Sequence, residues 1–177
     1  YAGCAGVADA LDTHRQLLYT CQESFNAALQ KMPAVTCVCN GDMDCKNVMW
    51  VDGRPYIIDL ECLDYGNPYW DMFQLALSWS GIERCSISRE RLNTFIAAYY
   101  QGDEKPFTDW DALYGSGFHW LEWLEYNLKR ALRIECADED EQHMGAGQVH
   151  ETLRRILYYH AAKDELIQGL ESAFAAD

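Results

Sequence analysis

Between Ala8 and Met32 the apolar residues Leu11, Leu17, Leu18, Cys21, Phe25, Ala28 and Leu29 recur at intervals close to three and four, a spacing that predicts an amphipathic helix. Pro33 ends it, because the ring cannot continue the hydrogen-bond ladder. The period then shortens. Ala34 to Cys39 reads as a β segment, and Val48 to Val51 and Tyr56 to Leu60 flank Asp52-Gly53, a dipeptide that favours a two-residue hairpin. Helical spacing returns after residue 67. Asn67-Pro68 places Pro in the first turn of a helix that carries Phe73, Leu75, Ala76, Leu77 and Trp79. Ser88 opens another that runs to about Tyr100, with Gly102 as its stop. Trp110 to Glu135 and Gln148 to Phe174 are expected as two long helices, separated by the acidic run Asp138 to Glu141 and by Gly145 and Gly147. No internal repeat or low-complexity linker interrupts the chain. The expected fold is mainly α with a small β-hairpin insert (α+β), the insert lying at about 34–60 of a single domain spanning 1–177.

The composition supports a packed core: 49% of the 177 residues are hydrophobic and 13% aromatic. No apolar run approaches the roughly 20 residues that span a bilayer, and Tyr1 to Ala10 lacks the pattern of a signal peptide. A cytoplasmic protein with no membrane partner is expected. The net charge of −14 repels phosphate backbones, which argues against nucleic acid as a partner. Eight cysteines raise the question of disulfides or zinc. No Cys-x-x-Cys pair occurs, and Cys37-x-Cys39 lies in a strand-like run where joint binding of one metal is expected to break the alternation. Free, mostly buried thiols are the expectation.

The candidate chemistry concentrates in the β insert. Asp42 and Asn47 sit in the polar loop before the hairpin, and Asp59 follows the apolar pair Ile57-Ile58 on its second strand. The hairpin brings the loop end before Val48 and the strand end at Asp59 to one edge. A carboxylate with an amide oxygen suits Mg²⁺, and a free Asp42 beside them suits acceptance of a hydroxyl proton, the division of labour that phosphoryl transfer requires. Any one of these residues alone is an ordinary turn or cap residue; the joint pattern carries the reading.

Asn40-Gly41-Asp42 through Asn47-Val48-Met49-Trp50, then Tyr56-Ile57-Ile58-Asp59-Leu60-Glu61, then Asp64-Tyr65-Gly66-Asn67-Pro68 and Trp70-Asp71-Met72 together resemble the C-terminal lobe of the aminoglycoside phosphotransferase and choline kinase family, small-molecule kinases of protein-kinase-like fold. The resemblance is specific between residues 38 and 80. It implies Asp42 as catalytic base, Asn47 and Asp59 as Mg²⁺ ligands, ATP as phosphate donor, and Asp71 as the carboxylate that holds the catalytic loop through its backbone N–H groups. Asn40 stands where the family usually has His, in support of the same loop. Asp44 and Glu61 are substrate-side candidates, with Lys46 beside them; a solvated loop charge is the plain alternative for each.

Trp120, Trp123 and Asn127 are spaced to share one face of a helix that also carries Glu122, Glu125 and Tyr126. Core burial is the default for such a stripe, and the wall of an acceptor pocket the alternative. Aromatic faces and carboxylates both attract ammonium groups, so Trp120, Trp123 and Tyr126, with the acidic balance of the chain, point to a cationic acceptor such as an aminoglycoside-like or choline-like alcohol. No Gly-rich phosphate-covering loop and no strand Lys is present, so the N-terminal nucleotide-binding lobe is expected in a longer parent chain, without which this lobe is inactive. A pseudokinase-like binding domain, or a kinase for a neutral acceptor such as a sugar or homoserine, are the alternatives.

Overall fold

The computed structural model describes residues 6–103 and 105–175; Cys4 lies outside them. The N-terminal apolar stripe forms two helices instead of one, α1 (Val7–Thr13) and α2 (Arg15–Lys31). His14, at φ −107° and ψ 10°, makes the joint, and the Leu18 N–H still bonds its carbonyl at 3.0 Å, so the chain bends without losing its ladder. Met32, forced out of the helical region by Pro33, ends α2 in extended geometry.

Strand β1 covers only Cys37–Cys39, shorter than the expected 34–39. Strands β2 (Val48–Val51) and β3 (Arg54–Ile57) pair antiparallel, with Val51 opposite Arg54. Their turn requires left-handed backbone at both central positions, which Asp52 (φ 50°) and Gly53 (φ 74°) supply. The second strand therefore starts and stops before the expected 56–60, leaving Asp59 beyond its end. Strand β4 (Asp64–Gly66), too short to leave a periodic signal, pairs with β1.

Six helices follow: α3 (Pro68–Ser80), α4 (Arg89–Tyr99), α5 (Trp110–Ser116), α6 (Trp120–Ala131), α7 (Glu139–Ala161) and α8 (Lys163–Ala173). Asn67 caps α3 by accepting from the N–H groups of Tyr69 and Trp70, and Ser88 caps α4 by accepting from Arg91. The expected helix over 110–135 is cut by a 3-10 turn at Gly117–His119, where α7's Tyr159 ring packs where a side chain on Gly117 would stand. The expected helix over 148–174 is also revised. Asp138 accepts from the Glu141 N–H at 2.8 Å, so the acidic run is a cap and first turn, favoured by the helix dipole, and α7 begins nine residues early.

The core joins these helices through Phe73, Leu77, Ile96, Leu113, Phe118 and Tyr159 among others. Tyr114 and Tyr159 stack at 4.5 Å, and each hydroxyl bonds the other's backbone carbonyl, at 3.2 and 2.8 Å. The β insert stands apart: Val38, Trp50 and Tyr65 are 61%, 61% and 77% exposed. No helix among the described residues is long and apolar enough to cross a membrane.

The thiols depart from expectation. Of the described cysteines only Cys21 is buried; Cys37, Cys45 and Cys62 are exposed and Cys39, Cys85 and Cys136 half-buried. Residues two apart in a strand share a face, so Cys37 and Cys39 do meet, with Sγ atoms 3.7 Å apart, contrary to the expectation that alternation separates them.

Two glycines of α7 give a test of this packing. A Cβ on Gly145 would stand 2.8 Å from Arg130 Cβ and 2.9 Å from the Ala131 backbone, whereas one on Gly147 would meet nothing within 4 Å. Gly145→Ala is expected to lower stability by about 1–3 kcal/mol through overpacking, and Gly147→Ala to raise it by up to about 1 kcal/mol through helix propensity. Urea denaturation followed by circular dichroism reads both signs.

Candidate active site

The loop from Asn40 to Asn47 connects β1 to β2 and is shaped by its own polar side chains. Asp44 accepts from the Cys45 N–H at 2.5 Å and so caps the 3-10 turn over Cys45–Asn47. Asn47 is buried, and its Nδ2 donates to the Asp42 carbonyl at 2.6 Å and to Asp42 Oδ2 at 3.1 Å. Lys46 Nζ approaches the same Oδ2 at 3.2 Å. The half-exposed Asp42 carboxylate is thus fixed by an amide and an ammonium from the next turn of chain.

Asp59 reaches this loop by a different route. The Ile58 N–H donates to the Asn47 carbonyl at 2.9 Å, extending the hairpin by one rung past β3, and Asp59 follows in left-handed backbone at φ 60°. Asp tolerates that conformation better than most residues, as Asp52 does in the turn, and at Asp59 it turns the chain away from the hairpin at once. Asp42 first, with smaller contributions from the Asp44 and Asp59 charges, holds the Lys46 ammonium pKa above its ordinary value.

The donor set fits a hard cation. Asn47 commits Nδ2 to Asp42, which leaves its Oδ1 for a metal, and the Asp59 carboxylate is exposed two residues beyond Ile57. No group of three or more His, Cys, Asp or Glu side chains among the described residues is arranged to hold a metal, so Asn47 and Asp59 would share such an ion with water or substrate oxygens.

Helix α3 supports the loop from below. The Gly41 N–H donates to Asp71 Oδ1 at 3.3 Å, Ser78 Oγ donates to Asp44 Oδ1 at 3.1 Å, and Trp79 Nε1 donates to the Met43 carbonyl at 3.4 Å. Burial raises the Asp71 pKa, while the Gly41 and Asn40 N–H groups favour the ionised form. Asp71 is half-buried, less enclosed than a core carboxylate. Asn40 is 4% exposed, and neither its amide nitrogen nor its oxygen has a hydrogen-bond partner.

Two cavities open beside the loop. One, of about 130 Å³, is lined by Asp42, Asp44, Asp71, Glu83, His119 and Trp120 among others. The second, of about 340 Å³, shares Gly41, Asp71, Gln74 and His119 with it and extends to Cys39, Cys62 and Glu122. Burial raises the Glu83 pKa against the opposing pull of Arg155, its ion-pair partner.

Of the sequence candidates, the loop gathers Asp42, Asp44, Asn47 and Asp71, with Asp59 at its edge; Glu61 is exposed and lines neither cavity. Trp120 is buried and faces the first cavity. Trp123 and Tyr126 do not share its face: they stack at 5.3 Å on the exposed side of α6, with Trp123 Nε1 donating to Gln148 at 3.4 Å. The buried stripe of α6 is instead Trp120, Leu124, Asn127 and Ala131. Gln74, Ser78, Glu83 and His119 escaped the sequence reading. Asp71, Gln74, Leu75 and Ser78 follow helical spacing, a usable signal for the loop-facing side of α3; His119 has none, because the turn that presents it carries the spacing of a continuous helix.

Compared with known protein families, residues 5–116, well over half of the chain, match the model described as the phosphotransferase enzyme family. No curated protein and no solved structure matches the chain.

His119 offers a pH test of the site's interior. Burial lowers its pKa to about 4, against the Ser116 and Gly117 carbonyls, which favour the charged ring. Between that value and the ordinary 6.5 the unfolded chain binds the extra proton, so stability falls as pH drops through this window and is whole above it. Up to about 3 kcal/mol is at stake. Thermal unfolding of the chain and of His119→Gln at pH 4 to 7 should show a steeper acid loss in the former; parallel curves would contradict the burial.

Proposed function

Because the chain belongs to the phosphotransferase enzyme family, whose members are kinase-like enzymes that move phosphoryl groups, we propose that it is the acceptor-side lobe of an ATP-dependent small-molecule kinase. The acceptor in this reading is a hydroxyl on an amine-bearing molecule, aminoglycoside-like or choline-like. The observation that carries it is that Asp42 lines an acidic cavity, fixed by Asn47 and Lys46 and backed by the Asp71 bond to Gly41.

In that role Asp42 accepts the proton of the attacking hydroxyl, its carboxylate oriented by the Asn47 amide. Asn47 Oδ1 and Asp59 would hold Mg²⁺, which when bound neutralises charge on the transferred phosphate. Lys46, one turn from Asp42, is placed to face the same charge. Asp71 acts through the loop: by accepting from Gly41 it fixes where Asp42 stands. Asp44, Asp71, Glu83 and the Trp120 ring line the cavity that an ammonium-bearing acceptor would enter, and this acidic lining supports the amine over a neutral sugar. Trp123 and Tyr126, on the outer side of α6, are left to a rim role. The nucleotide-binding half belongs, in this reading, to a separate segment of a cytoplasmic parent chain. The exposed apolar side chains Trp50, Tyr56, Ile57 and Ile58 on the hairpin, with Leu60 just beyond it, support a partner there.

A regulatory, pseudokinase-like role has one observation in its favour, the buried Asn40 amide without partners at the base of the loop. Turnover separates the two readings.

With the parent chain, Asp42→Ala is expected to cut kcat about 10²–10⁴-fold while leaving Mg²⁺ affinity intact, and Asp59→Ala to remove both activity and Mg²⁺ binding, measured by calorimetry. Equal loss of metal affinity in both variants would contradict the assignment. Steady-state assays against aminoglycosides, choline-type alcohols and neutral sugars should favour amines; efficient transfer to neutral sugars alone would overturn the acceptor class. The 177 residues by themselves are expected to bind acceptor but not to turn over ATP.

A further inference from the structure

Strand β1 ends one residue before the loop that carries Asp42, and both of its outer residues are thiols. Cys37 is exposed and Cys39 half-buried, with their sulfurs 3.7 Å apart on one face of the strand. Across the pairing, Asp64 lies opposite Cys39 and Gly66 opposite Cys37. A Cβ on Gly66 would stand 3.3 Å from Cys39 Sγ, so glycine leaves the space this sulfur fills. Neither thiol has a role in the phosphotransfer reading, and the geometry is independent of it.

We propose that Cys37 and Cys39 form a modification site, a dithiol that a low-molecular-weight disulfide of the glutathione type closes to an intrachain disulfide. The Cys37 thiolate, the more exposed of the two, attacks one sulfur of the small disulfide and releases its other half as a thiol. The Cys39 thiol then gives up its proton and attacks Cys37 Sγ in the mixed disulfide, releasing the second small thiol. Two electrons pass from the protein to the small disulfide, and the two protons leave with the released thiols.

Burial, followed by the Cys37 contact and the Asp71 charge, pushes the Cys39 thiol up to about 12, which makes it the resolving and not the attacking group. Once Cys37 is in the mixed disulfide, its share of that rise disappears.

Closure has a mechanical consequence. Residues two apart in a strand have Cα atoms about 6.6–6.8 Å apart, at the upper edge of the roughly 4.4–6.8 Å that a disulfide spans. Bringing the sulfurs from 3.7 Å to bonding distance therefore shortens β1. The three-residue pairing with β4 offers little resistance, and the movement passes directly to Asn40 and Gly41. Asn40 has no side-chain hydrogen bond to hold it, and the Gly41 bond to Asp71, at 3.3 Å, lies at the long end of its range. Oxidation thus releases the base of the loop from α3. Strain of this kind also makes the disulfide easy to reduce, so the change is reversible.

The test treats the chain with oxidised glutathione, quenches with an alkylating reagent, and reads peptide masses and hydrogen exchange. The expected result is loss of two hydrogens from the peptide holding Cys37 and Cys39, reversal by dithiothreitol, and exchange at the Gly41 amide accelerated about tenfold in the oxidised form. Cys39→Ser should stop at a glutathione adduct on Cys37, and Cys37→Ser should leave Cys39 unmodified. A persistent adduct on Cys37 in the unaltered chain, a bond from Cys39 to Cys62, no reaction at this pair, or a disulfide without change at Gly41 would each overturn the proposal. A chain that passes this test yet transfers no phosphate in its parent would sink the kinase reading alone.

Discussion

One carboxylate on the first turn of α3 sets the relation between the helical body and everything that protrudes from it. Asp71 loses solvation where it sits, and the main return on that loss is what the Asn40 and Gly41 N–H groups give back. Those two residues begin the loop, so the position of Asp42, the 3-10 turn capped by Asp44, and the Asn47 amide that bridges them all follow from where Asp71 holds the chain. Ser78 and Trp79, two turns further along α3, add contacts to Asp44 and Met43. The loop is therefore laid along one helix, and its polar groups are organised by a surface that the core makes rigid through Phe73 and Leu77 on the opposite side.

Much of this was legible from local signals. Asn67-Pro68, Ser88 and Asp52-Gly53 mark their boundaries because each solves a local backbone problem with its own side chain or its own φ. Asp42, Asn47 and Asp59 are legible because a polar loop and a hairpin bring them to one edge, whereas the bond between the loop and Asp71 is legible only through the family resemblance. What escaped was decided by distant chain. The long helix expected over 110–135 breaks at Gly117 because Tyr159, more than forty residues away, occupies the space there, and no window of sequence contains that fact. The acidic run at 138–141 reads as solvated loop until one sees that Asp138 caps the helix it precedes.

The aromatic stripe on α6 shows how little a spacing of three can decide. Trp120 and Trp123 differ by about 60° around the helix, enough to send one toward the Asp42 cavity and the other into solvent against Tyr126 and Gln148. The cysteine pair misled in the opposite way, since the alternation that was expected to part Cys37 from Cys39 is what brings them together.

The two small sheets carry a further consequence. Among the described residues each pairs just two strands, so no further strand covers their outer edges, and β2 and β3 add exposed Trp50, Tyr56 and Ile57 there. Such a surface is a template for strand addition by a neighbouring molecule. Opposing it is the charge of −14, which makes every encounter between copies repulsive over a Debye length, about 8 Å at physiological ionic strength. The colloidal behaviour of the chain thus depends on salt: screening weakens the repulsion and leaves the exposed hairpin less guarded.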